Sequence, residues 1–116
     1  MTQEEKNLLL QDLCGRLPYD CIVSVAEGGT NGIQWDDVTL NPYLLHQITE
    51  EDAWEYVKPY LRPMSSMTEE EEDEYELVCR KSITTQIDWL NKNMFDYRGL
   101  IPKGLALEAK EGMYNN

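Results

Sequence analysis

The segment from Cys21 to Leu40 sets the tightest limit on what this chain can fold into. Cys21 to Ala26 is rich in β-branched and small apolar residues, and Ile33 to Leu40 reads as a second extended run. Between them stands Gly28-Gly29-Thr30-Asn31-Gly32, which supplies the backbone freedom of a tight turn. Two β-prone runs around such a turn predict a hairpin, and a hairpin commits the chain to antiparallel pairing. In the second run Ile33 and Trp35 share one phase of alternation, while Val38 and Leu40 share the other. That switch predicts a bulge at Asp36-Asp37. The glycines do not make a phosphate loop, because no G-x-x-x-x-G-K-S/T spacing is present and they lead into a strand. Asn41-Pro42 marks a further turn, and Tyr43 to Ile48 reads as a short third strand.

Helical patterns flank this hairpin. Thr2 and Glu5 have capping-box spacing before a helix running to Arg16, with Leu9, Leu10, Leu13, Cys14 and Leu17 forming an apolar face. Glu50 to about Lys58 reads as a short helix or turn limited by Pro59. Thr68 and Glu71 repeat the capping-box spacing and open a long acidic helix. Cys79, Ile83, Ile87, Leu90 and Met94 form its expected buried stripe. Continued to Asn93, the helix would be about 40 Å long, with the weak helix formers Ser82 to Thr85 as the place for a break. The runs therefore predict an α+β fold: an N-terminal helix, a small antiparallel sheet, a long acidic helix and an apolar C-terminal tail. The alternative is a small barrel-like sheet flanked by helices. One domain spans residues 1–116, with 63–67 as a connector and 110–116 as a loose tail.

Charge decides which partners are natural. Ten Lys and Arg stand against 22 Asp and Glu, a net charge of −12. Phosphate contacts need clustered bases, so direct nucleic-acid binding is not expected, and an anionic membrane surface would repel the chain. No apolar run approaches the length of a membrane span, and the polar, acidic N-terminus does not read as a secretory signal. The three cysteines, Cys14, Cys21 and Cys79, form no C-x-x-C pair, and His46 is the single histidine. Reduced thiols in a cytoplasm are the simplest reading. No catalytic residue, cofactor or metal ligand is assigned.

Most of the excess charge is local. From Glu50 to Glu76 there are eleven acids and two bases, −9 of the net −12. Such a run reads either as a solvated face or as a surface that captures a basic partner. A divalent cation is the further option, although no EF-hand spacing is present. Trp54, Tyr56, Tyr60 and Arg62 are of the types favoured at interface hot spots. With Glu69, Glu70, Glu71, Glu72, Asp73 and Glu74 they form the candidate partner-binding set. Trp54 also reads as a core residue with the tyrosines at its edge. The stretch from Phe95 to Pro102 is either a helix cap with a packed loop, in which Asp96 and Arg98 pair, or a recognition loop.

Four segments resemble a family. Val57-Lys58-Pro59-Tyr60-Leu61-Arg62-Pro63-Met64-Ser65-Ser66-Met67-Thr68-Glu69-Glu70-Glu71 resembles the central signature of small uncharacterised proteins from gut Bacteroidales and their phages or mobile elements. Phe95-Asp96-Tyr97-Arg98-Gly99-Leu100-Ile101 and Lys103-Gly104-Leu105-Ala106-Leu107-Glu108-Ala109 resemble its C-terminal signature, and Leu13-Cys14-Gly15-Arg16-Leu17-Pro18-Tyr19 its N-terminal one. The resemblance implies a mobile-element context and carries no activity. Family members often have histidines before the Phe-Asp-Tyr-Arg stretch; Lys92-Asn93-Met94 here speaks against histidine chemistry at that place.

The functional expectation is a small acidic, non-enzymatic interaction or regulatory factor with a basic protein partner. The alternatives are a small enzyme with a carboxylate or Cys–His site built around His46, and a self-assembling structural component. The sequence leaves the oligomeric state open.

Overall fold

Thr2 starts the first helix, α1 (Gln3–Arg16), through the reciprocal capping box expected with Glu5. The computed structural model describes residues 1–29 and 32–114. A short 3-10 turn at Leu17–Tyr19 leads into β1 (Ile22–Gly29), which pairs antiparallel with β2 (Gly32–Thr39). The expected hairpin is therefore present, although Thr30 and Asn31 of its turn lie outside the described residues. The expected bulge is not. The register runs one to one from Ile22↔Thr39 to Gly29↔Gly32, through Val25↔Asp36 and Ser24↔Asp37. The phase switch misled because β2 is exposed along its whole length: a strand with no buried face has no reason to keep one apolar phase.

The region from Asn41 to Leu61 reverses the expected order of elements. Tyr43 to Ile48 is not a strand. It belongs to helix α2 (Pro42–Glu51), capped by the Asn41 side chain, which accepts from Leu44 N at 2.8 Å. Asn-Pro is here an N-cap followed by proline at the first helical position, where its missing N–H costs nothing. Of the short helix or turn expected from Glu50 to Lys58, the turn is what forms. Asp52 takes the left-handed conformation and ends α2. A 3-10 turn, Trp54–Tyr56, then delivers β3 (Val57–Leu61). Pro59 is tolerated in β3 because the next strand, β4 (Leu107–Glu108), pairs only with Tyr60 and Leu61.

The acidic helix is broken where its weak formers stand. α3 (Glu69–Cys79) carries the second capping box, Thr68 with Glu71. Ser82 then caps α4 (Ile83–Lys92) by accepting from Thr85 N. The break turns α4 back against α3, so the expected single stripe does not exist. Cys79, Ile83 and Ile87 are exposed, and Trp89, Leu90 and Met94 are buried.

The result is α+β, with strand order β2-β1-β3-β4. β1–β3 is antiparallel and β3–β4 parallel. The sheet is open, not a closed barrel. Register puts Val23, Val25, Val57, Pro59 and Leu61 on one face, where α1 contributes Leu9 and Leu13, α2 contributes Ile48, and the tail contributes Leu100, Leu105 and Ala106. A second cluster, Trp89, Leu90 and Phe95, joins α4 to α3 through Tyr75 and Val78. The C-terminal stretch expected to be loose is tied down as far as Tyr114, whose hydroxyl donates to Tyr60 O at 2.7 Å and accepts from Ile22 N at 3.0 Å. Asn115 and Asn116 lie outside the described residues. Among the described residues no helix is long and apolar enough to cross a membrane.

Candidate functional site

The candidate partner-binding residues do not share one surface. Trp54 is buried in the main core. Tyr60 is buried as well, its ring under Lys110 at 5.2 Å and its hydroxyl donating to Asp37 at 3.0 Å. Tyr56 alone of the aromatic trio is exposed. The Arg62 guanidinium lies over the Phe95 ring at 4.2 Å and grips Glu71 with two hydrogen bonds of 2.8 and 2.6 Å. That grip, helped by the Thr68 N–H, holds the Glu71 carboxyl far below its usual range, at about 2. Phe95, Trp89 and Tyr75 continue the stack at centroid spacings of 5.6 and 5.3 Å, and Trp89 Nε1 donates to Glu74 at 2.9 Å. Arg62, Glu71 and Glu74 thus brace the α3–α4 pair.

The rest of the acidic run faces outward. At 3.6 residues per turn, Glu71, Glu74, Tyr75 and Val78 fall on the side of α3 that meets α4. Glu69, Glu72, Asp73 and Glu76 fall on the opposite side, with Glu70 flanking. Glu76 pairs with Arg80 at 2.8 Å. Glu69, Glu70, Glu72 and Asp73 are exposed, and among the described residues none of them forms an ion pair.

The stretch after α4 is a packed brace. Asp96 and Arg98 do not pair. Asp96 instead accepts from the N–H groups of Leu100 and Ile101 at 2.8 and 2.9 Å, while Arg98 Nη1 reaches Asp12 at 2.8 Å. Gly99 supplies the positive φ, +75°, that lets the loop close on Asp96. Asp12 is fully buried and also accepts from Arg16 Nε and Nη2, at 2.9 and 3.0 Å. Arg16, equally buried, donates to Phe95 O at 2.6 Å. Its Nη1 has no hydrogen-bond partner among the described residues. Tyr97 sits between the two guanidinium groups, 5.5 Å from Arg16 and 4.4 Å from Arg98.

Sequence reasoning missed Asp12 and Arg16. The signal was available: an acid and a base at i, i+4 on the face that also carries Leu9 and Leu13. It also passed over the exposed Ile33 and Trp35 of β2, 63% and 45% accessible. They register with Gly28 and Ala26 and share the sheet face of Ser24, Asp37, Lys58 and Tyr60. The signal there was a Trp and an Ile in one phase of a strand whose other phase begins with Gln34 and Asp36.

The catalytic candidates are scattered. His46 is exposed on α2. Cys14 and Cys79 are exposed, contrary to the apolar environment expected for them, and only Cys21 is buried. Burial pushes the Cys21 thiol up to about 11, against the lowering effect of its contact with Tyr114, so its nucleophilic thiolate is suppressed. A groove of about 220 Å³ lies between Arg62–Thr68 and Glu108–Tyr114. A shallower hollow of about 400 Å³ lies on the sheet face over Ser24, Trp35, Lys58, Tyr60 and Leu107. Neither holds His46 or a cysteine. Among the described residues no group of three His, Cys, Asp or Glu side chains is placed to hold a metal ion. Compared with family models, curated proteins and solved structures, the chain matches none.

Proposed function

We propose that this protein is a small acidic, non-catalytic interaction factor whose partner is a basic protein. One observation carries the reading: Glu69, Glu72 and Asp73 on the outward side of α3, with Glu70 on its flank, stand exposed without an ion pair among the described residues, while Glu71 and Glu74 of the same helix are used internally. The inner carboxylates account for how the helix is held, and the outer ones are left over. Four like charges on one helix face repel each other and attract a cationic surface. The scatter of His46 and the cysteines favours this reading over the enzyme. The setting that goes with it is a cytoplasm, suggested by cysteines without a C-x-x-C pair, and a phage or mobile element, which is what the resemblance implies.

The test is affinity capture from a lysate of the source cells, comparing the protein with a variant in which Glu69, Glu70 and Glu72 become Gln and Asp73 becomes Asn. The expected result is a basic protein held by the first, released at high salt and not held by the variant. Screening of exposed charge within about 8 Å at physiological salt makes that release diagnostic. Equal capture by both proteins, or capture of nothing by a folded sample, overturns the reading.

A further inference from the structure

β2 is a sheet edge without the usual guards. Natural edge strands are blunted by lysine, proline, bulges or covering elements. From Ile22 to Thr39 this chain has no Lys, Arg or Pro, the register has no bulge, and all of β2 is exposed. β3 pairs with β1 only at Val23 to Val25, so from Ala26 onward the hairpin is a two-stranded ribbon, a marginal arrangement on its own.

The direction of the free amides follows from the ladder. Leu40 N donates to Cys21 O at 2.7 Å, so Cys21–Leu40 is a hydrogen-bonded pair. Bonded and non-bonded pairs alternate in an antiparallel ladder. Val38, Asp36, Gln34 and Gly32 are therefore turned towards β1, and the N–H and C=O groups of Ile33, Trp35 and Asp37 point off the edge. Thr39 does too, but its carbonyl already accepts from Asn41 Nδ2 at 3.5 Å. Three residues with free edge groups, two of them carrying large apolar side chains, make a template for one more strand.

We propose that the β2 edge between Ile33 and Asp37 takes an extended, lysine- or arginine-bearing peptide segment as a fifth strand. The inference rests on the basic partner of the preceding reading and adds a second contact for it beside the α3 carboxylates, with the conformation the partner takes there. Charge selects the occupant. β2 carries Asp36 and Asp37 against no base. Lys110 engages Asp37 at 3.2 Å, and Asp36, exposed, makes no ion pair among the described residues. Trp35 offers an aromatic face of the kind that holds a cation. A second copy is a poorer occupant: it brings its own −12, and pairing β2 with itself about its middle sets the two Asp36-Asp37 pairs close together.

The experiment is a titration of the 15N-labelled full chain with an end-capped peptide alternating lysine with valine, read by amide shifts and amide hydrogen exchange. A counterpart with glutamate for lysine is the control. The expected result is shift and protection at Ile33, Trp35 and Asp37 with the lysine peptide alone. Ile33→Pro removes one outward N–H and Asp36→Lys reverses the free charge, and each should weaken binding by about five- to tenfold. Trp35→Ala keeps the backbone donor and should weaken it by about threefold or more, which covers the case in which proline disturbs the ribbon. Shifts confined to the outward side of α3 overturn the edge site and leave the acidic interaction reading standing. No binding anywhere overturns both. Equal binding of the glutamate peptide overturns the basic occupant, and edge protection that rises with protein concentration alone assigns the edge to a second copy.

Discussion

Asp12 and the outward carboxylates of α3 are the same chemical group put to opposite uses. Asp12 is fully buried among Leu9, Leu13 and Arg16 and receives three charge-assisted hydrogen bonds. Glu69, Glu70, Glu72 and Asp73 are in water, and among the described residues they have no ion pair. The node at Asp12 joins α1 to the loop after α4, through Arg16 to Phe95 O and through Arg98. Among the described residues no ion pair ties the α3 stripe to another element. Abundance of charge therefore says little about its importance. One acid on an apolar helix face constrains the fold more than four on a polar one, because a buried charge without its partner is costly and an exposed one is not.

The largest expected effect lies at the node. Asp12→Ala leaves Arg16 buried without its counter-charge and should cost about 3–5 kcal/mol, a large part of the stability of a domain of this kind. Urea unfolding at neutral pH measures it. Replacing the pair together, Asp12→Leu with Arg16→Met, removes both charges and should recover much of that loss. Should the double variant be as unstable as the single one, the bond from Arg16 to Phe95 O, and not the charge pair, would hold α1 in place.

The same contrast explains what the sequence made legible. Both capping boxes, the hairpin and the break at Ser82 are local, and local chemistry is enough to write them. The α+β class followed from them. The segment from Asn41 to Leu61 was not legible, because Asn41-Pro42 serves a turn and a helix start equally well, and because Pro59 in β3 depends on how far β4 extends. The candidate site failed for a different reason. Trp54, Tyr60 and Arg62 were grouped by sequence proximity, but the 3-10 turn and β3 send Trp54 into the main core, Tyr60 onto the opposite sheet face and Arg62 towards Phe95. Asp12 and Arg16 were passed over because charge was read as solvent-facing. The resembling segments meet one another in space. Arg16 reaches Phe95, and β3 pairs with β4. Those motifs are the skeleton of the fold.

A middle case sharpens the comparison. Glu71 belongs to the acidic run by sequence and to the interior by structure, its side chain 14% exposed against Arg62. Its pKa in the folded protein, about 2, lies below the ordinary 4.5. A depressed carboxyl contributes stability that is complete above its ordinary pKa and is lost as pH falls through 4.5 towards 2. Glu71→Gln keeps the shape and the reach back to Thr68 N and removes the charge. It should cost about 2 kcal/mol at pH 7 and about half of that or less by pH 3. Unfolding of both proteins at the two pH values decides it. A difference independent of pH would mean that Glu71 acts through its hydrogen bonds alone.

The smallest effect is expected where the charge is densest. Changing Glu69, Glu70 and Glu72 to Gln and Asp73 to Asn removes favourable interactions of the first-turn carboxylates Glu69, Glu70 and Glu72 with the helix N-terminus, about 0.3–1 kcal/mol each at low salt. It also relieves repulsion between residues three and four apart, worth a few tenths per pair. These terms oppose each other, and both are screened in solvent, so the net change should stay within about 1 kcal/mol and shrink further at high salt. Urea unfolding at low and high salt reads it directly. A loss as large as that of Asp12→Ala would show that the outward stripe holds the fold and would remove the argument that it is left over for a partner. A stable variant that no longer holds a basic protein would separate folding from binding on a single helix, with Glu71 and Glu74 serving the first and their four neighbours the second.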